Sequence, residues 1–283
     1  MRSKLFVPGA RPELFDKALA GAADALSFDL EDAVAPERKA AARVAVAAFL
    51  ASSAVAASSK LMIVRVNAPA SEHFAADLAA VAREGADLIN LPKIESADAL
   101  HEAVAALERA EARNGVVRPI GLLVNIETPR AAGRGLDRRR APARGRAAAR
   151  PGRSVRGPGH RPRRPRQRPR RAVRGAHGRG RGRVFALDGA YADLHDEAGY
   201  FDEALVAKRL GFLGKTCLHP RQVGLANRAF AASADEIARA RRIVSAAETA
   251  ADGGRGVFVV DGRMIDRPFL KRAQALLATA ERP

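Results

Sequence analysis

Cysteine is almost missing from the chain: Cys217 is the single one among 283 residues, so no disulfide can form within it. Structural disulfides belong mainly to secreted proteins, and their absence favours a reducing compartment. The residues between Met1 and Gly9 also include too few apolar side chains for the core of a secretory signal. The sequence therefore predicts a cytoplasmic protein.

Long apolar runs are also missing. The uncharged stretch 44–59 consists mostly of Ala and Ser, and it falls short of the roughly 18 strongly apolar residues that a membrane span needs. We expect a helix followed by a loop in this stretch, and no association with a membrane.

Acidic residues are nearly absent from one segment, 131–183. It holds 20 of the 49 Lys and Arg residues, all of them Arg, against a single acid, Asp137, so the rest of the chain has 29 basic and 30 acidic residues. The net charge of +18 thus comes from this segment alone. Clustered Arg would suit nucleic acid, but the segment has no aromatic residue to stack on bases.

Three interpretations of the segment 131–183 remain: a disordered basic insert, an arm that binds nucleic acid or another polyanion, or a stretch translated in the wrong frame from a GC-rich gene. Its Arg, Ala, Gly and Pro are what shifted GC-rich codons produce. The third interpretation is favoured by position, because the segment stands where the flanking pattern requires a structural element.

That flanking pattern alternates between strands and helices. Helical patterns begin at Pro12, Ser71 and Ser96, and the last two stop at Gly85 and Gly115. Short apolar runs typical of buried strands lie between them. The runs are 5–7, 25–28, 61–66, 87–91, 120–126, 184–187 and 216–218.

The spacing predicts an α/β fold of the (β/α)8 TIM-barrel type over 1–224. Only the interval from Ile120 to Val184 has room for two units, so the sixth βα unit falls in the Arg-rich segment and is expected to be disrupted. The remainder, 225–283, reads as a helical extension with an Asp-Gly turn, covering the barrel mouth or making a subunit contact. No Gly-x-Gly-x-x-Gly follows the first strand, which argues against a dinucleotide fold.

Barrel active sites lie at the carboxyl ends of the strands, so the polar residues there are the candidates. They are Asp29, Asp32, Arg65, Asn67, Lys93, Glu127, Asp188 and His219. Carboxylates mixed with cationic groups suit a divalent cation and an anionic substrate. Structural roles stay open for some: Asp29 and Asp32 as helix caps, Lys93 as a partner of Glu95 or Glu31, and His219 as a hydrogen-bonded core residue. Cys217 is interpreted as packing.

Seven short motifs then become recognisable in order along the chain. They are SKLFVPG (3–9), DLEDAV (29–34), VRVN (64–67), LPK (91–93), IETPR (126–130), GKTCLHP (214–220) and DGRMID (261–266). Together they resemble the successive signatures of the citrate lyase β-subunit-like group of the HpcH/HpaI aldolase family. The resemblance covers about 230 of the 283 residues.

The resemblance implies a Mg²⁺-dependent carbon–carbon lyase that is a homo-oligomer, a trimer or a hexamer. Its substrate would be a 3-hydroxyacyl thioester of coenzyme A or of an acyl carrier, giving a small oxo-acid and an acyl thioester. By the same resemblance Glu127 is a metal ligand and Arg65 holds the carboxylate of the oxo-acid. Lys93, at the end of the fourth run, is interpreted as binding the anionic substrate. Asp32 would lie close to the metal, and Asp266 would approach the site from the C-terminal extension.

The family's second metal carboxylate is not found. It would come from a Gly-x-x-Asp stretch about 25 residues after Glu127, where this chain reads RPGRS (150–154) with Arg153 in place of the ligand. Besides a lyase, two further functions therefore stay open: a polyanion binder that uses the Arg-rich segment, and a catalytically dead barrel acting as a partner subunit.

Overall fold

The computed structural model of the protein describes residues 1–127, 146–151, 183–252 and 257–280. The chain divides into two compact units, Met1–Phe230 and Ala231–Pro283. The boundary lies six residues after the one expected from the sequence. None of the helices in the described part of the chain has the length and apolar character that a membrane span needs.

The first unit is built from eight parallel strands, which pair in chain order, and β8 also pairs with β1. The pairing thus forms a closed, barrel-like ring. The strands are β1 Ser3–Pro8, β2 Ala25–Asp29, β3 Leu61–Arg65, β4 Leu88–Leu91, β5 Gly121–Ile126, β6 Arg146–Pro151, β7 Arg183–Ala190 and β8 Gly214–Cys217. The predicted parallel α/β fold is confirmed.

Helices follow most of the strands. In this unit they are α1 Phe15–Ala20, α2 Lys39–Leu50, α3 Ser53–Ala56, α4 Phe74–Val81, α5 Ala97–Arg113, α6 Glu197–Arg209 and α7 Pro220–Phe230. Short 3-10 turns, Pro12–Leu14 and Pro36–Arg38, precede α1 and α2. Ser96 caps α5 as the sequence predicted, since its side chain accepts a hydrogen bond from the Ala99 main-chain N–H.

The presence of a sixth strand differs from expectation. The sequence predicted no strand in 131–183, yet β6 pairs with β5 and β7 there. Strand pairing uses main-chain groups that every residue except proline carries in full, so a strand can form without the usual β-branched residues. The rest of the segment lies outside the described residues, and the predicted disruption of the sixth unit stays a prediction.

Alternating side chains separate the two faces of the ring. The outer face packs against the helices through residues such as Leu26 and Phe28, and the Phe28 ring lies 4.9 Å from Phe15 and 5.3 Å from Phe49 between centroids. The inner face carries its own small apolar cluster. Its buried members are Ala25, Ile63, Leu88, Leu123 and Leu187.

The second unit consists of α8 Ala234–Asp252, the hairpin strands β9 Phe258–Val260 and β10 Arg263–Ile265, and α9 Arg267–Ala280. The Asp-Gly turn predicted from the sequence joins the two strands, and Asp261 and Gly262 both have positive φ angles, 50° and 70°. Positive φ at both central residues is the mark of the tight hairpin turn that Asp-Gly favours.

Gly85 tests how tightly the end of α2 packs, and Gly115 is the comparison. Gly85 has φ +92°, and a Cβ added there would lie 2.1 Å from the Leu50 carbonyl oxygen at the end of α2, whereas Gly115, with φ +67°, has open space around it. We expect Gly115→Ala to cost about 1 kcal/mol for the left-handed backbone, and Gly85→Ala about 3 kcal/mol because a clash adds to it. Urea unfolding midpoints compare the two, and equal losses would contradict this packing.

Candidate active site

Polarity increases along the inner face of the ring toward the carboxyl ends of the strands. On β2 the inward-facing residues change from apolar Ala25 to neutral polar Ser27 to charged Asp29. The same change occurs along β5 and just after it, in Leu123, Asn125 and Glu127. On β4, Leu88 is followed by Asn90, which pairs in register with Arg65 of β3. The charged residues therefore gather at one end of the ring, where parallel strands all terminate.

Arg65 is the centre of this charged end. Its Nε and Nη2 donate to the two carboxylate oxygens of Asp29 at 2.7 and 2.6 Å, and its Nη1 lies 3.0 Å from Glu31 Oε2. The Phe6 ring lies under the guanidinium, 4.8 Å from centroid to Cζ. Only the two contacts to Asp29 are hydrogen bonds, and the contact with Glu31 is an ion pair without hydrogen-bond geometry. Among the described residues, three of the five N–H donors of the arginine are therefore left for another acceptor.

The charge state of Arg65 is secured by these partners. Burial alone would lower its pKa, but the hydrogen bonds and attraction of Asp29, and then of Glu31 and Asp32, outweigh burial and raise the pKa. Only 13% of the Arg65 side chain is exposed. A fixed positive charge thus lies just below the surface of the site.

Lys93 follows β4 in a left-handed backbone conformation, with φ 53°. This conformation costs a non-glycine residue on the order of 1 kcal/mol and is commonest at functional sites. Here the Lys93 main-chain N–H donates to Glu127 Oε1 at 2.9 Å, while its Nζ lies 2.9 Å from Glu31 Oε1 and 3.4 Å from Asp32 Oδ1. The strained turn at Lys93 therefore joins Glu31 and Asp32, which follow β2, to Glu127, which follows β5.

Glu31 connects the two cations, and sequence reasoning considered it only as a partner of Lys93. It is 5% exposed and contacts both Arg65 and Lys93. Burial raises its pKa, against the pull of Lys93 and Arg65. The pattern Asp29-x-Glu31 directly after a strand could have indicated it, because alternate residues of an extended chain point to the same side.

The described end of the ring carries an excess of negative charge. The four carboxylates of Asp29, Glu31, Asp32 and Glu127 outnumber the neighbouring cations, which are those of Arg65 and Lys93 and the ammonium of Lys39 that binds the main chain behind them. Among the described residues, no group of three His, Cys, Asp or Glu side chains has the arrangement of a complete metal site. Glu127 is half-buried, and Asn125 Nδ2 lies 3.3 Å from its Oε2.

The inward-facing residues next to the charged end are polar, and several of their polar atoms have no hydrogen-bond partner in the described structure. Within the described structure Ser27 Oγ, Asn125 Oδ1 and both side-chain polar atoms of Asn90 are buried without a hydrogen-bond partner. Leaving such an atom unsatisfied costs about 1–3 kcal/mol. The region is therefore suited to a polar ligand or to water rather than to an apolar one.

Other predicted site residues lie elsewhere. Asp188 was expected beside Asp29, Arg65 and Glu127; instead it forms a 2.6 Å ion pair with the fully buried Lys215, which also binds Glu203 of α6. The reason is side-chain alternation: Leu187 belongs to the inner cluster, so the next residue faces the helices.

The remaining candidates have local roles. Asn67 is buried and donates to the Leu30 carbonyl, while His219 Nδ1 accepts a hydrogen bond from the Arg221 main-chain N–H. Asp266 belongs to the second unit and accepts from the Phe269 N–H at the start of α9. Its predicted approach to the active site stays a prediction.

Relatives of known function identify the family. Residues 2–134 match the family model HpcH/HpaI aldolase/citrate lyase. The citrate lyase subunit beta of Escherichia coli (strain K12) is 37% identical over 285 residues, which cover 99% of this chain and 93% of the relative. The chain belongs to the HpcH/HpaI aldolase/citrate lyase family. The resemblance seen in the sequence is thus confirmed.

Two further relatives agree with this membership. The L-malyl-CoA/beta-methylmalyl-CoA lyase of Cereibacter sphaeroides is 34% identical, covering 99% of this chain and 94% of the relative. CitE from Mycobacterium tuberculosis, solved with magnesium, acetoacetate and coenzyme A, has a TM-score of 0.64 and 29% identity over the whole of both chains. Membership places this protein among carbon–carbon lyases of the aldolase/citrate lyase type.

The single cysteine provides a test of the site's boundaries. Burial raises the pKa of the Cys217 thiol to about 11, and the thiol lies 3.2 Å from the Tyr200 hydroxyl. At pH 8 the native protein should react with iodoacetamide at least about 100-fold more slowly than the unfolded chain, because a thiol with a pKa of about 11 carries far less thiolate at that pH than an ordinary cysteine. Mass spectrometry measures the labelling, and fast native labelling would place Cys217 in an accessible site.

Proposed function

We propose that this protein is a Mg²⁺-dependent lyase that cleaves a 3-hydroxyacyl thioester, such as a coenzyme A ester, into an oxo-acid and an acyl thioester. The observation that carries the proposal is Arg65, which is hydrogen-bonded to Asp29 and ion-paired with Glu31, has N–H donors left over within the described structure, and lies beside an excess of carboxylates. A guanidinium receives a carboxylate, and the negative excess favours a cation. The magnesium and coenzyme A complex of CitE supports the same assignment.

The residues present fit Mg²⁺ in part. Mg²⁺ prefers oxygen ligands, keeps several waters, and is often bound through one or two carboxylates. Glu127 would supply one carboxylate, and the exposed Asp32 lies within the same cluster. The stretch 150–154 contains no second carboxylate. When bound, the metal would supply Lewis-acid polarisation of the oxygen that becomes the ketone.

The side chains of the chain have distinct tasks in this proposal. N–H groups of Arg65 that do not bind Asp29 bind the carboxylate of the hydroxy-acid end, and Lys93 adds a positive charge at the edge of the site. Asp32, 66% exposed, takes the proton of the substrate hydroxyl. The carbon–carbon bond then breaks, its electron pair goes to the carbon beside the thioester carbonyl, and protonation of that carbon completes the acyl thioester.

We further propose a (β/α)8 TIM barrel whose sixth unit is disrupted by a stretch, 131–183, translated in the wrong frame. The family model ends at residue 134, just after that segment begins. The second carboxylate would be lost with it, so the protein should turn over L-malyl-CoA at well below about 1 per second. A faster rate would mean that the segment is a tolerated insertion; reading the other two frames of the gene tests its origin directly.

Replacement of Arg65 tests anion binding. Arg65→Lys keeps the charge but loses the planar fork, so we expect pyruvate, measured by calorimetry with Mg²⁺ present, to bind about 10-fold more weakly. Arg2→Lys is the matched control, because Arg2 forms a similar two-pronged pair with Asp24 before β1 and β2. Equal effects of the two changes would remove Arg65 from the substrate site.

Replacement of Glu127 tests the metal. Glu127→Gln should weaken the binding of Mg²⁺ by at least about 10-fold, because the amide removes the charged ligand. Glu111→Gln serves as control: Glu111 also accepts a main-chain N–H, that of Ile120 at 2.7 Å, but before β5 rather than after it. Unchanged metal affinity in Glu127→Gln would exclude Glu127 as the ligand.

A further inference from the structure

The acidic segment 29–32 is held from beneath by a lysine of α2. Lys39 is 7% exposed, and its Nζ donates to the main-chain carbonyls of Leu30 at 2.8 Å and Glu31 at 2.9 Å. None of the described carboxylates forms an ion pair with it. Burying an ammonium that binds only carbonyls costs free energy. We therefore look for the benefit of this contact in the segment that carries the two carbonyls.

The same helix reaches the segment by a second route. Arg43, one turn after Lys39, binds the fully buried Asp77 of α4 at 3.1 Å. Asp77 accepts from the Asn67 main-chain and side-chain N–H groups at 2.8 and 2.6 Å, and Asn67 Nδ2 donates to the Leu30 carbonyl at 2.9 Å. The Leu30 carbonyl is thus held by two donors, and both routes start from α2.

The opposite side of this backbone faces the active site. The Leu30 N–H donates to the Arg65 carbonyl at 2.9 Å, and the Glu31 and Ala33 N–H groups donate to the Asp29 carboxylate at 3.0 and 3.2 Å. With the carbonyls pulled toward α2, the carboxylates of Asp29 and Glu31 are left on the side of Arg65. The orientation of the acids therefore depends on where the carbonyls point.

We propose that Lys39 is a positioning residue of the active site. Its ammonium binds the carbonyls of Leu30 and Glu31 and thereby holds the segment 29–32 in the conformation that grips Arg65 and Lys93. It also adds a positive charge behind three closely spaced carboxylates. The catalytic consequence rests on the proposed function, whereas the structural consequence does not.

The chain offers a matched control in Lys60. Its Nζ also donates to two main-chain carbonyls, those of Gly21 at 2.6 Å and Ala23 at 2.8 Å, but these precede β2, at the other end of the ring. Lys39→Met and Lys60→Met remove the same kind and number of hydrogen bonds. Only the first should disturb the active site.

The first measurement needs no ligand. Hydrogen exchange followed by mass spectrometry reports on peptides covering 29–34 and, as an internal reference, 61–66. We expect Lys39→Met to speed exchange in 29–34 at least about 10-fold while 61–66 changes little, because the Glu31 and Ala33 amides lose their fixed acceptor. Lys39→Arg should restore slow exchange to within about 3-fold, and Lys60→Met should leave 29–34 unchanged.

The second measurement is pyruvate binding by calorimetry with Mg²⁺ present. Lys39→Met should weaken pyruvate binding about 10-fold, because Asp29 and Glu31 would no longer hold Arg65 in place. Lys60→Met should leave pyruvate binding unchanged. If the unaltered protein binds no pyruvate, the proposed function fails while hydrogen exchange still decides the role of Lys39. Equal exchange in 29–34 for both Met variants, or faster exchange across the whole chain in Lys39→Met, would overturn the proposal. If Lys39→Met does not fold, both measurements are made on Lys39→Gln and judged by the same criteria.

Discussion

The site depends on the burial of one guanidinium. A charge taken out of water is costly unless partners replace its hydration, and Arg65 obtains them from Asp29 and Glu31. Each of these carboxylates needs Arg65 in return, since removing one partner of a buried pair typically costs about 3–5 kcal/mol. The carboxylates after β2 and the guanidinium at the end of β3 therefore stabilise each other, and the geometry of the site follows from this mutual dependence.

The fold supplies that dependence through simple alternation. Every second residue of a strand faces the inside of the ring, so the same strand that fills the interior with Ala25 also carries Asp29 to its end. The outer residues, such as Phe28, anchor the strand to the helices. The residues that stabilise the fold and those that form the site thus lie on the same strands, but at different positions.

Alternation also explains which residues could be predicted from the sequence. Arg65 lies within an apolar run and Glu127 closes one, and a charged residue in either setting indicates a paired or functional group. Lys39 and Asp77 give no such signal, because each lies on an amphipathic helix where a charge usually faces solvent. Their roles depend on contacts between α2, α4 and the loop after β2, which only the folded chain reveals.

Predictions failed where a shift of one residue changes the outcome. Asp188 follows an apolar run as Glu127 does, but the run places Leu187 inward and Asp188 toward α6. A register irregularity between Asp188 and Ala190 then breaks the regular alternation at the end of β7. Apolar composition alone cannot specify which of two neighbouring residues faces inward when both sides of a strand are buried.

Two of the buried ion clusters in the described part of the first unit, those of Lys215 and Arg65, show what separates a structural from a functional charge. Lys215 is fully buried; its ammonium donates to Asp188 and Glu203 and lies 5.4 Å from the centroid of the Tyr200 ring. Arg65 also contacts carboxylates, yet part of its side chain is exposed, and its only side-chain hydrogen bonds among the described residues are the two to Asp29. A fully buried cation can only hold the fold together, whereas a partly exposed one with donors left over at a strand end can still take an anionic ligand. Exposure and available donors together, more than charge, decide which cluster belongs to the active site.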